Sequence, residues 1–223
     1  MTPRILALDT TTEFGSIALV EDGAVVWETP LHSSEGFGHI LFDRIATVFE
    51  NAGWKLDQID CFAAACGPGS FTGVRVGLAA VKGLAEALGR CVVGVSNLEA
   101  IAWHGTAPLR AAIADARRGQ IYAAVYDAKL KLVSPEVVMA FPEWLAGLPS
   151  GEIELLSTDP ATFLPALAGT RFEKDGFREV PRALAGAIGR IAEERFLAGM
   201  GADPAALDAS YVRRSDAELF WRE

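Results

Sequence analysis

The sequence predicts an α/β protein of two tandem halves, each a mixed sheet flanked by helices. Short apolar runs at 5–8, 15–20 and 24–29, with Asp22-Gly23 between the last two, read as an antiparallel meander with a tight hairpin. Apolar Cys61–Ala65 then turns through a glycine-rich loop into a long Ala-rich segment and on to β-branched Cys91–Val95, which makes a strand-helix-strand unit. A second hairpin pattern, 111–116 and 120–126 around Arg117-Arg118-Gly119, opens a further alternation of helices and strands. The best break between the halves is His104-Gly105-Thr106-Ala107-Pro108, which divides the chain into 1–106 and a smaller 107–223 ending in a tail.

Taken in order, the first strand ends in Asp9 and is followed by Thr10, Thr11 and Thr12. Two readings stay open there: a carboxylate and hydroxyls facing a metal-bound phosphate, or an Asx or ST turn that satisfies local backbone groups. Segment 38–52 spaces Ile40, Leu41, Ile45, Val48 and Phe49 as one helical face, with Gly53 as its stop. His39 near its start reads as a capping or surface residue, and His32 and His104 are equally isolated.

The stretch Cys66-Gly67-Pro68-Gly69-Ser70-Phe71-Thr72-Gly73-Val74-Arg75-Val76-Gly77 organises the first half. A P-loop is excluded because no Lys follows Thr72, and a dinucleotide fingerprint is excluded because Gly73 arrives one residue late. An anion cradle, a closely packed backbone and a plain strand-to-helix turn remain. Behind it, 74–88 reads as a helix with Val74, Leu78, Val81, Ala85 and Leu88 in one stripe. Its small residues Gly77, Ala79, Ala80, Gly83 and Ala87 suit close approach by another helix, inside the chain or from a partner. Arg75, placed by this reading in the first turn where the helix dipole disfavours a cation, suggests an anionic partner.

Ser96 and Glu99 fit a capping box for a helix running to Trp103. Asp115 with Arg117 and Arg118 reads as a surface ion cluster, with a ligand or interface contact as the alternative. Helices are expected at 142–148, 160–167 and 182–198, the last with Leu184, Ile188, Ile191 and Leu197 on its apolar side, and a strand at Ile153–Ser157. From Tyr211 to Trp221, aromatics in a charged context suggest a tail that docks elsewhere.

The 223 residues carry a formal charge of −9, which argues against a free-standing nucleic-acid binder. Cys61, Cys66 and Cys91 sit in apolar surroundings without C-x-x-C spacing and read as reduced thiols. The N-terminal residues show no signal-peptide pattern and no run approaches a membrane span, so a cytoplasmic protein without membrane attachment is expected. H-x-x-x-H and H-E-x-x-H are both absent, which removes the chemistry of a metalloprotease reading.

An Asp-Thr-Thr after the first strand of a meander, followed by two α/β halves, resembles the actin, Hsp70 and sugar-kinase superfamily, with its actin-like (ribonuclease H-like) subdomains. More closely, residues 5–10, the run Gly67-Pro68-Gly69-Ser70-Phe71-Thr72-Gly73-Val74-Arg75, Ser96-Asn97-Leu98-Glu99, residues 115–122 and Tyr211-Val212-Arg213 look like the bacterial TsaB (YeaZ) family. That resemblance implies a non-catalytic subunit in forming N6-threonylcarbamoyladenosine at position 37 of tRNA. It implies pairing with a TsaD-type subunit that carries metal and transfers the threonylcarbamoyl group, a TsaE-type ATPase that joins the pair, and a TsaC-type supplier of the adenylate. It further implies that tRNA is met only through the complex, and that the helices at 38–52 and 74–88 form the face used for TsaD pairing or, in the isolated chain, for a homodimer. The expected interface residues are Ile40, Leu41, Arg44, Phe71, Thr72, Val74, Arg75, Leu78 and Lys82. No cofactor is expected on the chain alone, with ATP or ADP placed at the partner interface; Asp9, Thr10, Gly69 and Ser70 are the candidate cofactor contacts. Where the family carries H-[ST]-[EQ] before its first interface helix, this chain has Gly36-Phe37-Gly38. An ATP-dependent small-molecule kinase, with Asp9 organising Mg-ATP, is the alternative function.

Overall fold

The N-terminal runs form the expected meander: β1 (Arg4–Asp9), β2 (Phe14–Glu21) and β3 (Ala24–His32) are antiparallel neighbours. Asp22 and Gly23 turn the hairpin in the left-handed region, at φ 55° and 67°. A computed structural model of the protein describes residues 2–210 and 212. After α1 (Leu41–Ala52), β4 (Cys61–Ala65) lies parallel to β1; after α2 (Phe71–Leu88), β5 (Cys91–Val95) lies parallel to β4. The sheet order is therefore β3-β2-β1-β4-β5. Alternation along the strands sends Leu6, Leu8, Ile17, Leu19 and Phe62 to the face that α1 and α2 cover with Ile45, Val48, Val74 and Val81.

The helix starts differ from the spacing prediction. Residues 38–40 form a turn closed by Ile40 and Leu41 N–H on the Phe37 carbonyl, so α1 begins at Leu41. Helix α2 begins at Phe71, because Ser70 serves as its N-cap and accepts from Gly73 N at 3.4 Å. Arg75 is consequently the fifth residue of α2 and not in the first turn predicted for it.

The second sheet follows α3 (Asn97–Trp103). Strands β6 (Leu109–Asp115), β7 (Gln120–Asp127) and β8 (Leu132–Ala140) are antiparallel, while β9 (Ile153–Ser157) and β10 (Phe177–Glu179) continue parallel to β6. Its order, β10-β9-β6-β7-β8, repeats the strand order and directions of the first sheet. One face is packed by α4 (Phe141–Ala146) and an aromatic group in which Phe141, Phe163 and Phe177 lie 5.3 to 6.0 Å apart. Segment 160–167, expected as a helix, consists of two 3-10 turns, Pro160–Thr162 and Leu164–Leu167; Pro165 supplies no N–H to continue a ladder.

α5 (Ala185–Leu197) returns to the first sheet and covers the face opposite α1 and α2. Small residues make this close: a Cβ on Gly189 would stand 2.6 Å from a Val20 methyl and 3.3 Å from Ala7 Cβ. The compact units are thus the residues to Asn97 together with Ala183–Ser210, and Leu98–Arg182. This differs from the single break expected at 106, because α5 buries its apolar side on the first sheet. Of the tail expected from Tyr211 onward, all but Val212 lies outside the described residues. No helix among the described residues is long and apolar enough to cross a membrane.

Candidate functional site

The glycine loop folds onto the end of β1. Ser70 N donates to the Thr11 carbonyl at 2.7 Å, and Thr10 Oγ1 donates to the Gly73 carbonyl at 2.7 Å. A Cβ on Gly77 would stand 2.6 Å from Thr10 Oγ1, one on Gly69 would stand 2.7 Å from Thr11, and one on Gly73 would overlap the Thr10 carbonyl. These glycines therefore admit the chain's own Thr10–Thr11 backbone. Of the readings left open by the sequence, the closely packed backbone is the one this geometry realises.

Asp9 sits beneath that contact, 1% exposed. Its Oδ1 accepts Thr11 N–H at 3.0 Å and the Thr11 hydroxyl at 2.7 Å, with Asn97 Nδ2 at 3.4 Å; the same Asn97 amide donates to Thr11 Oγ1 at 2.8 Å. Burial pushes the Asp9 carboxyl above its usual range, against the pull of the Thr11 and Asn97 hydrogen bonds. The side chain thus closes an Asx turn and ties β1 to the start of α3. No local pattern marks Asn97 for this role, since it stands inside a capping pattern and a family-like run without a side-chain partner nearby in the chain.

The expected interface residues divide by burial. Leu41, Val74 and Leu78 are buried in the core of their own unit, and half-buried Ile40 packs against it. Lys82 reaches the carbonyls of Leu207 at 2.9 Å and Ala205 at 3.4 Å, so it secures the chain beyond α5. Arg44, Phe71, Thr72 and Arg75 are exposed, and the Arg75 guanidinium lies 3.7 Å over the Phe71 ring. Phe42, 58% exposed on α1, shares their exposure and is not among the residues the sequence singled out. The available signal was a bulky aromatic off the apolar stripe of an amphipathic helix. Ala79 and Gly83 continue the exposed stripe of α2 after Phe71 and Arg75, and Gly83 has open space above it. Phe37, in the segment 36–38 before α1, is a core residue at 1% exposure.

At the end of β6, Asp115 Oδ1 accepts Arg117 N–H at 2.8 Å and the two side chains form an ion pair at 3.9 Å. Arg117, Arg118 and Gly119 all take positive φ to close the turn.

Two sheets of identical strand order, with the loop after β4 folded on the end of β1, define a duplicated actin-like α/β protein. The same fold is seen at TM-score 0.53 and 10% identity in component A of (R)-2-hydroxyglutaryl-CoA dehydratase from Acidaminococcus fermentans, over 86% of this chain and 98% of that one. A family model described as TsaD: tRNA N6-adenosine threonylcarbamoyltransferase matches residues 29–171. The tRNA threonylcarbamoyladenosine biosynthesis protein TsaB of Escherichia coli (strain K12) is 41% identical over 129 residues, which span 56% of this chain and 55% of that protein. Its counterpart in Bacillus subtilis (strain 168) is 29% identical over an alignment of 233 residues covering 98% of each. The structure of YeaZ from Pseudomonas aeruginosa superimposes at TM-score 0.76 with 26% identity, over 94% of this chain and 99% of that one. The chain belongs to this family, on its TsaB (YeaZ) branch.

Proposed function

We propose that this chain serves tRNA threonylcarbamoyladenosine biosynthesis as a non-catalytic subunit, pairing with a TsaD-type transferase through the outward faces of α1 and α2. The names of its relatives supply the pathway. The observation that carries the pairing is the face itself: Phe42 and Phe71 are 58% and 44% exposed, Arg75 is stacked on Phe71, and Ala79 and Gly83 leave room for a close helix. Aromatic and Arg anchors beside small residues are what a packed interface uses. In the isolated chain the same face serves a homodimer.

The non-catalytic part of the proposal is supported by the closure of Asp9. A kinase would need this carboxylate ionised and open to a metal-bound phosphate, whereas it is buried and bonded to Thr11 and Asn97. ATP or ADP accordingly belongs at the partner interface, a TsaE-type ATPase joins the pair, and tRNA is engaged through the complex, away from a chain of charge −9.

The test is reconstitution with the cognate TsaD-type and TsaE-type proteins and an adenylate source, reading modified adenosine by mass spectrometry of tRNA nucleosides. Phe42→Glu and Phe71→Glu are each expected to weaken pairing by about tenfold or more and to lower modification in step. Equal modification with the chain left out, or full-strength pairing by both variants, overturns the proposal.

A further inference from the structure

Cys61 opens β4 and Cys91 opens β5, and the two residues are direct partners in the parallel pairing. Neighbouring strands stand about 4.8 Å apart, inside the span of roughly 4.4–6.8 Å between the Cα atoms of a disulfide. The side chains share a face. Phe62 and Val92, one residue further on, enter the core under α1 and α2, so both cysteines point to the side that α5 covers. There the two side chains are hydrogen-bonded to one another as free thiols. Asp60 and Arg90, which precede them, form an ion pair at 3.7 Å and hold the two strand starts together. Access to the two differs. Cys61 is 0% exposed, whereas Cys91 is half-buried on the edge strand of the sheet, beneath the exposed segment 197–201. A Cβ on Gly201 would stand 2.6 Å from the Cys91 sulfur, so bare backbone passes over that sulfur.

We propose that Cys61 and Cys91 are a modification site for hydroperoxides, an oxidisable dithiol that closes into a disulfide between β4 and β5. Cys91, the thiol nearer the surface, reacts first. As its thiolate it attacks one peroxide oxygen; the O–O bond breaks, a sulfenic acid forms on Cys91, and the leaving oxygen takes up the thiol proton to depart as an alcohol, or as water from hydrogen peroxide. Cys61 sulfur then attacks the sulfenic sulfur; the S–S bond forms, the S–O bond breaks, and hydroxide leaves with the Cys61 proton as water. Two thiols are oxidised and one hydroperoxide is reduced. Burial, reinforced by the neighbouring Cys91 and Asp60, pushes the Cys61 thiol up, which suits it to the second step and not the first. Cys66 lies at the other end of β4, about 17 Å along the strand from Cys61, too far to bond with either. The new bond closes the segment 61–91, which contains the glycine loop and all of α2, and so staples that unit.

The inference is independent of the pairing proposal, since neither cysteine lies on α1 or α2, and it is tested on the full chain alone. The reduced, folded chain is treated with hydrogen peroxide, then denatured, alkylated with iodoacetamide and mapped by mass spectrometry. The treated chain is expected to take an alkyl group on Cys66 alone, where the untreated chain takes one on each of its three cysteines. The Cys61 and Cys91 peptides are expected to be joined with the loss of two hydrogens, and dithiothreitol is expected to part them. Cys66→Ala, outside the pair, should form the same link. Cys61→Ala, its folding checked by circular dichroism, should stop at a Cys91 sulfenic acid that dimedone captures; if that variant does not fold, the maps of the wild type and Cys66→Ala decide the matter. The linked chain should unfold at higher urea than the reduced chain. The inference is overturned if Cys61 and Cys91 stay open to alkylation after peroxide, or if the disulfides formed involve Cys66 or join two chains. Equal urea midpoints for the linked and reduced chains overturn the staple.

Discussion

Asp9 shows how burial decides what a residue is for. Its carboxyl is held above the ordinary value of 3.8 chiefly by desolvation, so the folded chain keeps this proton to higher pH than the unfolded chain. Stability from this group is therefore greatest in acid and falls as pH rises past 3.8; Glu28, also raised by burial, contributes with the same sign. Asp9→Asn keeps the shape and the acceptor for Thr11 but removes the charge. Denaturant unfolding from about pH 4 to about pH 7 should show the wild type losing stability relative to the variant as pH rises; parallel profiles would show that burial is not penalising the ionised carboxylate. The glycines give a second prediction. Gly73→Ala forces a Cβ into the Thr10 carbonyl and is expected to cost about 1–3 kcal/mol, whereas Gly83→Ala meets open space and is expected to gain about 0.5–1 kcal/mol. Thermal melts of the pair check both signs. The loop was legible in the sequence as a backbone-permissive junction, but its occupant was not, because Thr10 lies some sixty residues earlier and no local spacing links the two.

Among the elements, those with strong periodicity and local punctuation were legible, and those that depend on distant partners were not. The β2–β3 hairpin, the strands around the glycine loop and the amphipathic α1 and α2 follow from local pattern alone. β8 was missed because Pro135 interrupts its apolar run, and β10 because three residues at a sheet edge carry no pattern of their own. The N-terminus of α5 was equally hidden. No local side chain caps it; Ser16 Oγ accepts Ala185 N–H at 2.8 Å and Glu28 Oε1 accepts Gly186 N–H at 2.9 Å, both from the sheet beneath. Ser16→Ala leaves a buried N–H unsatisfied and is expected to cost about 1–3 kcal/mol in urea unfolding. Beyond α5 the chain is fastened along β5, with Ala202 and Val92 exchanging backbone hydrogen bonds at 2.8 and 2.9 Å and Lys82 holding the Leu207 carbonyl. Lys82 is accordingly a structural clamp.

On the scale of the whole molecule, the two sheets repeat one strand order although the sequence shows no repeat. The topology is preserved by apolar alternation, which many residues satisfy, and not by identity. What a single sequence cannot state is which sheet a late helix covers. α5 carries a serviceable apolar side, but only the small residues Ala7 and Gly189 on the two facing surfaces show where it fits. The first unit is consequently discontinuous, and that has a measurable outcome. Its two pieces meet near one point: the Asn97 amide bonds the Asp9 carboxylate, and Ala185 N–H bonds Ser16, the register partner of Asp9. A flexible linker of about six residues, reaching about 20 Å, should therefore join Asn97 directly to Ala183. Such a chain, ending at Ser210, is expected to unfold in one cooperative transition followed by circular dichroism, because α5 seals the second face of its sheet. The contiguous fragment 1–106 leaves Ile5, Ala7, Ala18 and Val20 without that cover and is expected to show no cooperative transition. If 1–106 melts as sharply as the joined chain, α5 is an accessory to the first unit and the break after Thr106 is the true domain boundary.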